Sequence, residues 1–370
     1  MSAPTLPAVD TAGRAARLRE RFADAGVDAL LVTRLPNVRY LTGFTGSAAF
    51  LLVGPGELVF VSDGRYAEQA AEQLAAAGVD ARVEIRTSQA DQRQVLATAA
   101  TGIARLGLEA YGVTWAQQRA FAGEWFPDAE LVATEHVVEG LRRVKEPGEV
   151  ARIRAACAIA DEALAAVTPT FVDGPTERDV ALELELEMRR RGASGVSFDP
   201  IVASGPNGAK PHARPSDRSL RPRELVVLDF GCVIDGYCSD MTRTVSVGDP
   251  GAEARRVYEV VLASQQAGRD AVRSGADCAA VDRACREVIE TAGWGDAFVH
   301  GTGHGVGLEI HEAPRVAATA RDTLGSGDVV TVEPGVYLPG VGGVRIEDTV
   351  VVTDEGADAL TASPKELLLS

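Results

Sequence analysis

The stretch 226–247, VVLDFGCVIDGYCSDMTRTVSV, restricts the fold of this chain more than any other. Asp235-Gly236 lies between two runs rich in β-branched and aromatic residues. An Asp-Gly pair readily takes the two positive-φ positions of a two-residue hairpin turn. With that turn, Ile234 faces Tyr237, and counting outward places Gly231 opposite Asp240. Directly opposed residues share a sheet face, and so do residues two apart on one strand. Asp229 and Asp240 therefore stand diagonally adjacent on the same face. Two carboxylates that close repel unless a cation or a shared proton lies between them. A solvated polar face is the alternative, and the apolar runs around each aspartate argue for a buried, neutralised pair. The same register puts Cys232 and Cys238 on opposite faces, so they form no disulfide.

Two further acidic residues lie in similar surroundings. Glu333 ends an apolar strand in VVTVEPG, and GGVRIEDTVVVT alternates Arg345, Glu347 and Thr349 with Val344, Ile346 and Val350. The alternation predicts one strand with a polar face in an apolar context. Three of the five histidines, His300, His304 and His311, crowd into VHGTGHGVGLEIHE at 299–312. Carboxylates with one imidazole make a hard, oxygen-rich donor set suited to Mn²⁺ and compatible with Co²⁺, Fe²⁺ or Zn²⁺. Four carboxylates exceed the charge one divalent ion needs, which favours two metals. GTGHGVG is no dinucleotide motif: it lacks a strand–glycine–helix context and an acidic residue about 20 positions on.

The chain has 370 residues, more than one hydrophobic core ordinarily serves. Residues 1–139 alternate helical and strand patterns, including a hairpin around Gly54-Pro55-Gly56-Glu57, as in a three-layer α/β domain with a mostly parallel sheet. A charged junction, 140–148, contains Pro147-Gly148. From 149 to 370, helices come in pairs, about 149–167 with 176–191 and 253–273 with 278–292, each pair followed by glycine-rich strand sequence. That grouping predicts an α+β domain and hints at an internal duplication. The formal net charge of −16 argues against nucleic-acid and anionic-membrane partners. Five cysteines without a CxxC pair read as reduced thiols. No secretory leader pattern and no apolar run near 18 residues are seen, so the expectation is a cytoplasmic protein without a membrane span.

Asp229, Asp240, His304, Glu333 and Glu347, within LDFG, SDMTRT, GTGHGVG, VEPG and RIEDT, resemble the five metal ligands of the aminopeptidase P/prolidase family. NVRYLTGFTGS at 37–47 resembles that family's N-terminal domain, and RRVKEPGEV its junction. The resemblance implies a creatinase-like N-terminal domain and a "pita-bread" catalytic domain. It further implies two divalent ions, most simply Mn²⁺, with Asp229 on one, His304 and Glu333 on the other, and Asp240 and Glu347 bridging. His212, in KPHARPS, resembles the family histidine over the substrate; His300 and His311 resemble two that flank the metals and contact the scissile carbonyl and the prolyl side, all three serving to stabilise the oxyanion and orient the substrate; Arg345 resembles the arginine beside the last bridging ligand. The implied reaction is hydrolysis of an Xaa-Pro peptide bond by a hydroxide bridging the metals, with Glu333 relaying the proton. A homodimer acting on small peptides with proline second is implied as well.

A metal-free amidinohydrolase resembling creatinase and a non-catalytic binding module share this plan but lack ligands of the five-residue set. Methionine aminopeptidase shares the catalytic domain and usually lacks a domain like 1–139. Within the family, a prolidase needs a cation for the free prolyl carboxylate, and Arg315 or Arg321 can supply one. The position at which larger prolidases carry an arginine is Thr319 here, which tips the expectation toward an Xaa-Pro aminopeptidase over an Xaa-Pro dipeptidase.

Overall fold

The computed structural model of the chain describes residues 6–369, which divide into Ala8–Arg142 and a second unit made of the chain from Arg143 onward with residues 6–7. The first unit is built on one mixed sheet in the order Arg82–Ile85, Leu58–Ser62, Phe50–Val53, Ala29–Val32, Arg105–Glu109, Glu130–Thr134. Pairings to Arg82–Ile85 and across the last three strands are parallel. The two central ones are antiparallel, because the turn at 54–57, closed by Gly54 N–H on Glu57 O at 3.0 Å, folds a hairpin into the sheet. Leu31, Leu52, Val59 and Leu106 pack with Phe121 and Trp125 beneath it.

The second unit has four long helices, Pro147–Val167, Glu177–Arg190, Ala252–Ala271 and Cys278–Thr291, close to the expected pairs. Each pair covers one sheet. The first buries Ala156, Ala160, Leu164, Val180 and Leu184 against Val226, Leu228, Phe230 and Met241. The second buries Val257, Val261, Val281 and Cys285 against Val330, Val332, Val350 and Val352. By strand alternation, the residues between these apolar ones turn away from the helices. One face of each sheet is thus apolar and helix-covered, while the other carries Asp229, Thr242, Thr331 and Thr349.

The alanine-rich helix and its continuation, Pro147–Asp173, are long and apolar enough by length and composition to cross a membrane, with mean hydropathy 1.4 over 18 residues. Its Ala156, Ala160, Ala163 and Leu164 lie in the core just described, which is the ordinary place for such a stripe.

The stretch 342–352 is not the single strand its alternation predicts. Gly342–Arg345 pairs with Gly335–Leu338, whereas Asp348–Val352 pairs with Val329–Val332, and Ile346-Glu347 crosses between the two sheets. The crossing is tolerated because its backbone is satisfied sideways by the strand Met241–Val247. Glu347 N–H donates to Thr242 O at 3.1 Å, and Arg345 exchanges bonds with Thr244 Oγ1 at 3.1 and 2.9 Å.

Beyond the crossing, Asp348 is 1% exposed and gathers cations from three separate segments. It accepts from Arg243 at 3.1 Å, from Arg269 at 3.0 Å and from Lys365, with Gln265 and Thr361 each at 3.0 Å. Burial would raise its pKa, but Arg243, Lys365 and Arg269 reverse this and hold it below the usual carboxylate range. Its contribution to stability is therefore present at neutral pH and lost as pH falls through that depressed value. Asp348→Asn should destabilise by about 3–5 kcal/mol, because it leaves buried cations unpaired. A urea midpoint equal to wild type would refute the hub.

Candidate metal centre

Strand alternation and register bring the acidic residues together. Val226, Leu228 and Phe230 point into the helix-covered core, so Asp229 points the other way. The hairpin pairs Ile234 with Tyr237, and its register continues as Phe230↔Met241 and Asp229↔Thr242. Asp235 and Gly236 take φ of 45° and 78° at its turn. Asp240 enters just before the second strand, diagonal to Asp229. Glu347 arrives at the sheet crossing and Glu333 directly after Val329–Val332. The donor oxygens of Asp229, Asp240 and Glu347 lie within 4.8 Å of one another.

His304 sits at the centre of the short strand Gly303–Gly305. A Cβ on Gly303 would come within 2.0 Å of Thr331 O, and one on Gly305 within 2.3 Å of Ala313 O. Only glycines let this strand lie that close to both neighbours and deliver His304 to the carboxylates. Its Nε2 is 3.4 Å from Glu333 Oε1 and 3.6 Å from Asp240 Oδ2. Nδ1 faces Gly305 O at 3.0 Å, so Nδ1 carries the proton and the Nε2 lone pair is left for a metal.

The electrostatics call for cations. Burial raises Asp240 well above its ordinary pKa, and the charges of Glu347, Asp229 and Glu333 add to the rise. Glu347 is raised by burial and then by Glu333 and Asp229; burial pushes Glu333 up to about 8. Burial lowers the pKa of His304, which favours the neutral imidazole with its Nε2 lone pair open. Asp229 Oδ1 and Glu347 Oε1 are buried without a hydrogen-bond partner among the described residues. Unsatisfied buried carboxylate oxygens beside a free imidazole nitrogen fit two divalent ions.

A cavity of about 610 Å³ opens over this cluster, lined by His212, His300, His304, His311, Arg315 and Arg345, with Phe198, Ile201 and Ile310 as its apolar part. His311 stands edge-on to His304, ring centroids 4.3 Å apart, and is exposed like His212. His300 differs from both: Nδ1 faces Gly301 O and Nε2 faces Tyr337 OH, each at 2.8 Å. Burial lowers its pKa to about 4, so it is neutral. Tyr337 OH accepts from Arg345 at 2.5 Å, and the same guanidinium donates to Asp229 Oδ2 at 2.6 Å and to Thr242 Oγ1 at 3.2 Å. Thr242 in turn donates to Glu347 Oε2 at 2.7 Å. Thr331 plays the corresponding part for Glu333, at 3.1 Å.

Sequence reading passed over Tyr337, Thr242 and Thr331. For the two threonines a signal existed, since both alternate onto the face that carries the acids. Tyr337 had none, because its meeting with His300 depends on a separate two-stranded sheet. Arg315 lines the cavity and pairs directly with His304 across the strands, which puts both on one sheet face. Thr319 and Arg321 do not line it.

Comparison with known proteins identifies the family and the fold. Residues 151–354 match metallopeptidase family M24, and residues 14–144 match the creatinase/prolidase N-terminal domain. An Xaa-Pro dipeptidase of Pyrococcus horikoshii is 35% identical, over 92% of this chain and 95% of its own. The structure of an Xaa-Pro dipeptidase from Bacillus anthracis superposes with a TM-score of 0.90 at 39% identity, covering 96% of this chain and 99% of that one. An X-Pro aminopeptidase from Thermotoga maritima superposes at 0.87 with 34% identity, covering 96% and 100%.

Proposed function

Because the chain belongs to metallopeptidase family M24, with the creatinase/prolidase N-terminal domain ahead of its catalytic unit, we propose that it is an Xaa-Pro dipeptidase. The observation that carries the reading is Arg315. It is an exposed guanidinium on the cavity wall, on the same sheet face as His304, and it has no ion-pair partner among the described residues. A dipeptide ends in a carboxylate one residue from the scissile bond, and a guanidinium that near the metal ligands is placed to take it in a paired contact. The dipeptidase names of the relatives support this choice over the aminopeptidase that Thr319 suggests.

Asp229, Asp240, His304, Glu333 and Glu347 would hold two divalent cations, Mn²⁺ first among those the set suits, which supply a Lewis acid for the carbonyl and a water of lowered pKa. The chain's own residues do the rest. Glu333 moves the proton from that water to the prolyl nitrogen. His212 and His311, exposed on the cavity wall, donate to the oxyanion. His300, with both ring nitrogens engaged, holds Tyr337 and through it the Arg345 fork. A homodimer and a reducing, cytoplasmic setting belong to the same reading, the latter supported by five free, buried cysteines.

Chelator-stripped protein, with and without Mn²⁺, should be offered Ala-Pro, Ala-Pro-Ala and Ala-Ala-Ala. Mn²⁺-dependent cleavage of Ala-Pro alone is expected. Arg315→Ala should then raise KM for Ala-Pro by ~10–100-fold, the worth of one charged hydrogen bond. Cleavage of Ala-Pro-Ala at its first bond, with Ala-Pro untouched, would replace the dipeptidase by an aminopeptidase. Silence on all three would end the peptidase reading.

A further inference from the structure

We propose that Glu177 is a positioning residue that staples both feet of the loop carrying His212. Glu177 opens the helix Glu177–Arg190 and lies outside the cavity, fully buried at 0% exposure. Its carboxylate faces donors from two points twelve residues apart in the chain, Ser204 and Ser216. Oε1 accepts Ser204 N–H at 2.7 Å and Ser204 Oγ–H at 2.8 Å. Oε2 accepts Ser216 N–H at 3.1 Å and Ser216 Oγ–H at 2.6 Å. Asn207 Nδ2 spans the two oxygens, at 3.1 and 3.0 Å. Arg218 brings a positive charge one hydroxyl away, donating to Ser204 Oγ at 2.6 Å.

Between those feet runs the segment 205–215, whose Pro211, His212, Ala213, Arg214 and Pro215 form one wall of the cavity. At its crest Pro211 O accepts from Arg345 Nη1 at 3.3 Å. The loop is therefore held at its base by one carboxylate and at its top by the guanidinium that also grips Asp229. A loop of this length without strand partners relies on such ties for its shape. A glutamine cannot replace Glu177: it keeps one accepting oxygen and turns an NH₂ toward groups that can only donate or prefer to. The inference rests on the reading of His212 as a substrate-facing residue.

The test pairs a structural with a functional readout. In Glu177→Gln, amide exchange of the 204–216 peptide in the metal-loaded protein should quicken at least ~10-fold, with no change in the peptide containing Val329–Val332. On the Xaa-Pro substrate, kcat should fall ~10–100-fold with metal content unchanged. In a His212→Ala background, Glu177→Gln should cost nothing more. If Glu177→Gln does not fold, Ser216→Ala removes one donor at the second foot and should show the same pattern more weakly. Unchanged exchange, loss of metal, or additive effects with His212→Ala overturns the staple. If wild type cleaves no Xaa-Pro substrate, the proposed function fails and the exchange result alone decides for or against Glu177.

Discussion

Glu347→Ala lowers kcat/KM on the Xaa-Pro substrate by at least ~1000-fold, about 4 kcal/mol of the several that bound metal ions contribute to such a transition state. Glu347 is 1% exposed, Thr242 donates to its Oε2, and its Oε1 has no hydrogen-bond partner among the described residues, which leaves that oxygen for the bridging role proposed for it. In that role, its removal should weaken both metal positions together. Bound metal, measured by plasma mass spectrometry after desalting, should fall from two equivalents to one or fewer. Fold and stability should not suffer in the stripped state. Burial and the neighbouring Glu333 and Asp229 already oppose the Glu347 charge, so deleting that carboxylate relieves repulsion. The stripped variant is expected to melt at or above the temperature of stripped wild type. Turnover within tenfold of wild type, with two metals still bound, would contradict the bridging role.

Stripping the metal should leave a protein whose stability falls as pH rises. Burial pushes Glu333 up to about 8, against about 4.3 in an unfolded chain. Between those values the fold retains a proton that the unfolded chain has released. The penalty for ionising Glu333 in the fold is thus absent below about 4.3, grows by about 1.4 kcal/mol per pH unit, and is complete above about 8. Asp240 and Glu347, raised in the same direction, add to it. Bound cations cancel that penalty, because they favour the ionised carboxylates. The stripped protein should therefore melt at lower temperature at pH 8.5 than at pH 6, while the Mn²⁺-loaded protein changes little. Stripped Glu333→Gln should lose part of the slope. A melting temperature of the stripped wild type that is flat or rising over this range would show that the cluster is not strained by its own charge.

The reach of sequence reasoning follows from the range of the interactions involved. The hairpin register was legible because one local turn sets it: with Asp235 and Gly236 at positive φ, every pair from Ile234↔Tyr237 to Asp229↔Thr242 follows by counting. The paired helices were legible because a buried stripe repeats every three or four residues. The two-sheet crossing at Ile346-Glu347 was not, since the alternation is the same whether the strand stays in one sheet or changes partner. Nor was the choice among Arg315, Thr319 and Arg321, which depends on Arg315 lying opposite His304.

Turn chemistry and alternation were thus enough to put Asp229 and Asp240 on one face, and residue type to suggest cations between them; that His304, Glu333 and Glu347 join them was implied by the family resemblance alone. The Asp229/Asp240 pairing is an effect of neighbours two to twelve positions apart. Only the tertiary structure decided that Arg345 grips Asp229 across 116 positions, that Tyr337 ties His300 to that guanidinium, and that Glu177 holds the His212 loop. Side chains that far apart in the chain meet only after the sheets have packed, and no local steric preference records where that packing will bring them.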